Sequence, residues 1–184
     1  YPYAPYVLHG LPGAWDPQPF DDPFEALLGI EEPEPGRSLH DDAVASERKY
    51  QLPELVEILE DMEKRWRSGA HAACFLTGDF NAASHLDYPM GPKWPCSAEC
   101  AAHGLVDSFA VATQKGKSEG HSKTWAAKEC QEPHGLHDRI DFVYCKGLEV
   151  QWSMHLDETN SGVTTWPSDH RAVLSSIHYS SATQ

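Results

Sequence analysis

An amphipathic helix that runs straight into an apolar strand with a polar ending restricts this chain more than any other feature. Leu52, Leu55, Val56, Leu59, Met62 and Trp66 recur at three- and four-residue spacing, which places them on one helical face, while Glu54, Glu57, Glu60, Asp61 and Lys64 turn to water. Gly69 supplies the stop. Pro53 sits comfortably in a first turn if the helix begins near Leu52, whereas a start at Ser46 would kink it, so the regular part is placed from Leu52. Ala73 to Leu76 then reads as a buried strand that delivers Gly78, Asp79, Phe80 and Asn81 to a functional edge. A helix directly before such a strand predicts a layered α/β arrangement.

The remaining elements fit that class. Ser97 to His103, with a serine at its start and Gly104 behind it, predicts a short capped helix, and Leu105 to Phe109 continues beyond it. Ile140 to Tyr144 is apolar and β-prone, and Leu148, Val150, Trp152, Met154 and Leu156 alternate with polar residues, so the two are expected to form a hairpin. Ala172 to Tyr179 makes the last strand. The opening Tyr-Pro-Tyr-Ala-Pro-Tyr is too rich in proline for a central element. From about residue 15 to 45, Pro and carboxylates dominate, and a solvated excursion is expected there, with order resuming at Ser46.

With 184 residues and 40% apolar content the chain is read as one domain, 1–184, without internal repeats or a membrane-length apolar run. It is expected to be soluble, in a compartment that its start does not reveal. It opens at Tyr1 without a leader, so a processed product or a fragment is expected. A net charge of -14 argues against tight sequence-independent binding to nucleic acid, because neutralising phosphates takes clustered Lys and Arg. Lys115, Lys117, Lys123 and Lys128 form the one locally basic stretch, either a solvated loop or a rim that meets substrate phosphate. Cys74 and Cys145 fall in strand-like runs as free thiols. Cys96, Cys100 and Cys130, with His103, His134 and His137 at intervals, leave open a zinc site or a disulfide from Cys130 to Cys96 or Cys100. His40, His85, His121 and His178 are placed at the surface.

Gly-Asp-Phe-Asn at 78–81, Thr124-Trp125, Arg-Ile-Asp-Phe at 139–142 and Ser-Asp-His-Arg-Ala-Val at 168–173, in that order, resemble the endonuclease/exonuclease/phosphatase (DNase I-like) superfamily. The opening Tyr-Pro repeat and Ser-Glu-Arg-Lys-Tyr-Gln-Leu at 46–52 are also similar to the segment that precedes the first of those motifs, so the resemblance covers nearly the whole chain. It implies an α/β fold, a four-layer αββα sandwich of the DNase I-like type, here lacking its N-terminal part. The Asn and Glu metal ligands and a site histidine that the family carries in its first half have no match in this sequence.

The resemblance also implies a function, a divalent-metal-dependent phosphoesterase that hydrolyses a phosphate mono- or diester by in-line attack of an activated water. Asp79 would orient or deprotonate the water, and Asn81 would donate to a phosphate oxygen. Asp141 would fix the tautomer of His170, and Asp169 would help hold Mg²⁺ or Mn²⁺, since hard cations favour oxygen ligands. Trp125 and Arg139, with Asn81, would contact substrate. The acidic balance favours a small-molecule, lipid or sugar phosphate over DNA. The alternative is a catalytically incomplete module that needs a missing N-terminal half as its partner.

Overall fold

The computed structural model describes residues 39–69, 73–87, 94–120, 122–124 and 139–179, and every structural statement below concerns these. They form a mixed α/β arrangement of helices around two small sheets. The elements are helices α1 (Leu39–Tyr50) and α2 (Leu52–Arg67), strand β1 (Cys74–Asp79), helix α3 (Pro95–Ala102), strand β2 (Val106–Asp107), helix α4 (Ser108–Gln114), and strands β3 (Ser118–Glu119), β4 (Asp141–Lys146), β5 (Leu148–Leu156) and β6 (Ala172–Tyr179). The first sheet has the order β1-β4-β2 and is antiparallel; the second has the order β3-β5-β6, with β3 parallel to β5 and β6 antiparallel to it.

The break between α1 and α2 follows from Pro53, which has no N–H to donate and occupies the first turn of α2. The regular helix therefore starts at Leu52 as its pattern predicts, but helical order begins earlier than Ser46, since residues 39–42 already belong to α1. The rest of the acidic stretch lies outside the described residues. Leu55 and Leu59 of α2 are buried against Cys96, Cys100, Leu105, Phe142 and Tyr144, with Leu52, Met62, Leu76 and Phe80 around them. On the opposite face of β4, Cys145 packs with Ala112 of α4 and Val150 of β5, which joins the two sheets.

Several expectations are corrected by how the elements pair. The strand β1 is an edge strand, so it is only half buried: Leu76 turns to the helices while Phe75 is 52% exposed. No hairpin joins β4 to β5, because Gly147, at a φ of +77°, turns the chain out of the first sheet and into the second. The alternating apolar face of β5 is buried only as far as Val150. A bulge between Val150 and Trp152 shifts the register, so Ser153 and His155 are buried and Trp152 is left 40% exposed. His155 stacks on Phe109 with ring centroids 3.8 Å apart.

Ser97 does not cap α3. Trp94 occupies the capping position without a side-chain bond, Ser97 lies inside the helix, and Glu47 of α1 supplies the acceptor, with its Oε1 2.5 Å from the Cys96 N–H. Cys96 and Cys100 are buried free thiols in the helical core, and burial pushes Cys100 up to about 12, so neither ionises near neutrality. His103 instead lies 3.3 Å from each of Glu63 and Glu99, through different ring nitrogens. Any pairing that involves Cys130, His134 or His137 falls outside the described residues. His85 is half-buried rather than on the surface, with Nδ1 2.8 Å from Ser97 Oγ. His178 is exposed, as expected.

Arg139 is the largest departure from the sequence reading. It is 2% exposed, donates to Asp107 Oδ2 at 2.6 Å and to both oxygens of Asp87 at 2.9 and 3.1 Å, and lies over the Phe142 ring at 4.8 Å. A guanidinium so enclosed holds the fold and cannot meet a substrate. Burial works against its charge, but Asp107 and Asp87 outweigh that and raise its pKa above the ordinary value. Asp107 also caps α4 by accepting from Phe109 and Ala110.

Two stability predictions follow from these buried charges. Asp107→Ala uncaps α4 and strands Arg139, so urea denaturation should show a loss of about 3–5 kcal/mol, with a smaller loss for Asp107→Asn, which keeps the capping oxygen. Burial pushes the Glu47 carboxyl from 4.5 up to about 7, so the unfolded chain releases this proton first as pH rises. Its contribution is therefore complete below pH 4.5 and is lost as pH climbs through 7, by about 3 kcal/mol in all. Glu47→Gln should match the parent at pH 4 and exceed it in stability at pH 8, in denaturant melts across that range.

Candidate functional site

Three separate segments bring Asp79, Asp141 and His170 together at the end of the first sheet. Asp79 is the last residue of β1 and pairs directly with Asp141, the first residue of β4. Paired residues of an antiparallel ladder point to the same face, so strand register alone places both carboxylates side by side. His170 arrives from the turn just before β6 in the other sheet. One ligand atom from each of the three lies within 4.8 Å of the others.

The imidazole is oriented by a charged partner. His170 Nδ1 donates to Asp141 Oδ2 at 2.8 Å, which leaves Nε2 for other work. That bond, partly opposed by burial and reinforced by the charges of Asp141, Asp79 and Asp169, raises the His170 pKa above its ordinary value. Burial raises the Asp79 carboxyl, the Asn81 N–H that it accepts at 2.7 Å pulls it down, and the Asp141 charge pushes it up again. Asp79 is thereby a better proton acceptor than an ordinary surface aspartate.

Asn81 follows at a φ of +46°, a left-handed conformation that asparagine tolerates better than most residues. The turn is gripped from the junction between α1 and α2. Gln51 is buried, and its Nε2 lies 3.1 Å from the Phe80 carbonyl oxygen and 3.2 Å from that of Asn81. Gln51 was absent from the sequence-derived candidates. The signal for it was Glu47 and Gln51, one helical turn apart in the Ser-Glu-Arg-Lys-Tyr-Gln-Leu stretch; both are now seen to be buried polar anchors.

The other predicted residues divide. Asp169 is exposed beside His170 and close enough to bias its charge, but it is not one of the three clustered ligands. Arg139 is withdrawn into the core, and Trp125 lies outside the described residues. Of the basic stretch, Lys115 is held on β5, donating to the Val150 carbonyl at 3.0 Å. Two carboxylates and an imidazole at this separation suit a divalent cation with oxygen and nitrogen ligands, and equally an acid-base pair.

No protein-family model matches the chain. It is 28% identical over 162 residues to the uncharacterized protein F14F9.5 of Caenorhabditis elegans, the match covering 73% of this chain and 50% of that one. The chain thus spans about half the length of the curated relative it matches. Among solved structures it is similar to a functionally unknown conserved protein from Enterococcus faecalis V583, with a TM-score of 0.49 and 24% identity over 68% of this chain and 44% of that one. No helix among the described residues is long and apolar enough to cross a membrane.

The Asp141–His170 pair makes a pH prediction. The carboxylate stabilises the imidazolium, so the associated stability is present below the unfolded histidine pKa and disappears as pH rises through the higher folded one. Asp141→Asn should bring the His170 pKa down toward its ordinary value in a metal-free NMR titration.

Proposed function

We propose that this chain carries the catalytic edge of a divalent-metal-dependent phosphoesterase of the endonuclease/exonuclease/phosphatase type, built on a DNase I-like sandwich. The observation that supports it most is the convergence of Asp79, Asp141 and His170, three residues far apart in sequence, within 4.8 Å. In this reading Asp79 orients the attacking water and receives its proton. His170, with Nδ1 engaged by Asp141, directs Nε2 at the phosphoryl group, either to bind an oxygen or to pass a proton to the leaving group. Asn81 donates its side-chain amide to a non-bridging oxygen.

Asp79 and Asp141, with Asp169 beside them through water, would hold Mg²⁺ or Mn²⁺. Such a cation supplies neutralisation of the charge that builds on the phosphoryl oxygens. The chain's net charge of -14 favours a small-molecule, lipid or sugar phosphate over a long polyanion.

The test is hydrolysis of bis(p-nitrophenyl) phosphate with Mg²⁺ or Mn²⁺. Asp79→Ala and His170→Ala should each lower the rate by roughly a hundredfold or more, and EDTA should abolish it. Mn²⁺ binding followed by electron paramagnetic resonance should weaken about ten- to a hundredfold in Asp79→Ala. Hydrolysis that survives both EDTA and Asp79→Ala would remove the proposal.

A further inference from the structure

We infer that Thr124 is a positioning residue that ties the Asp141 segment of the candidate site directly to the His170 segment. It is fully buried. Its Oγ1 accepts the N–H of Ile140 at 3.0 Å and that of Asp141 at 3.1 Å, so one hydroxyl oxygen fixes the start of β4 through both its lone pairs. Its own carbonyl accepts the Arg171 N–H at 2.6 Å, immediately after His170. Asp141 opens β4 and His170 lies just before β6, strands of different sheets, and a side-chain hydrogen bond between them needs the two backbones held at a set separation. Thr124 spans that separation.

The link extends in both directions. The Ile140 carbonyl accepts from the Phe80 N–H at 2.8 Å, carrying the connection on to the turn between Asp79 and Asn81. On the other side, the Arg171 side chain donates to Asp157 Oδ2 at 2.7 Å and to the Lys123 carbonyl at 3.3 Å, which locks the residue after His170 against the end of β5 and the residue that precedes Thr124. Valine has the shape of threonine but no acceptor, and would leave two buried N–H groups unpaired next to the reacting residues. Serine keeps the acceptor.

The catalytic half of this inference rests on the phosphoesterase reading; the structural half does not, and the experiment separates them. Thr124→Val and Thr124→Ser are compared with the parent by the NMR signal of the His170 Nδ1 proton and by kcat and KM on bis(p-nitrophenyl) phosphate. Thr124→Val should lose the downfield Nδ1 signal and roughly ten- to a hundredfold in kcat, with KM changed by no more than about twofold; Thr124→Ser should retain both. A folded Thr124→Val with an intact signal and full kcat overturns the inference, as does a Thr124→Ser as impaired as the valine variant. Should the valine variant fail to fold, amide exchange in the parent decides. Ile140, Asp141 and Arg171 should open with one common protection, and an Arg171 amide that exchanges like a free loop overturns the link. If the His170 signal responds but even the parent hydrolyses nothing, the positioning role stands and the phosphoesterase reading falls.

Discussion

The enclosed guanidinium of Arg139 is the constraint on which the other contacts depend. It binds Asp87 from the loop after β1 and Asp107 from the start of α4, and lies over the rings of Phe142 and Phe109 at 4.8 and 5.7 Å. The buried Asp107 carboxylate balances the enclosed guanidinium, the more exposed Asp87 adds a second acceptor, and removing Asp107 leaves a buried charge short of its partner. Arg139 stands two residues before Asp141. The packing that satisfies the guanidinium therefore also fixes where β4 begins, and with it the position of the Asp141 carboxylate.

From that anchor the site is assembled by backbone rather than by long side chains. The pairing of Asp79 with Asp141 comes from antiparallel register, and the left-handed turn at Asn81 is held by Gln51 at the start of α2. Only His170 has to be brought from outside that sheet, just ahead of β6, and it meets a partner whose charge rewards the correct ring orientation. Each group is thus set by a ladder, a tight turn or a side-chain hydrogen bond.

Where local pattern and burial agree, the sequence could be read directly. The α2 stripe from Leu52, the start of that helix at its proline, and the last strand from Ala172 to Tyr179 all lie where spacing places them. The meeting of Asp79 with Asp141 and His170 was legible only as a resemblance of ordered motifs, since nothing in local spacing brings residues 79, 141 and 170 together. Three misreadings share one cause, a contact made at long range. Ser97 has the chemistry of a cap, yet a carboxylate 49 residues away takes that place. The pattern of β5 is a clean alternation, yet one bulge turns His155 inward and Trp152 out. Arg139 beside a motif reads as a substrate contact, and only its two distant aspartates show it to be a buried strut.

By itself the sequence determined the helix with its apolar face, the strands with their polar endings, and which side chains were chemically equipped to bind a cation or move a proton. Those properties depend on residues within a turn or a strand of one another. Tertiary structure alone decided which of those side chains meet, which are withdrawn to hold the core, and that β4 and β5 part into separate sheets at Gly147. The physical reason is that burial, bulges and ion-pair partners are set by the free energy of the whole packed chain, and a buried charge takes the partner that packing brings to it, however distant in sequence.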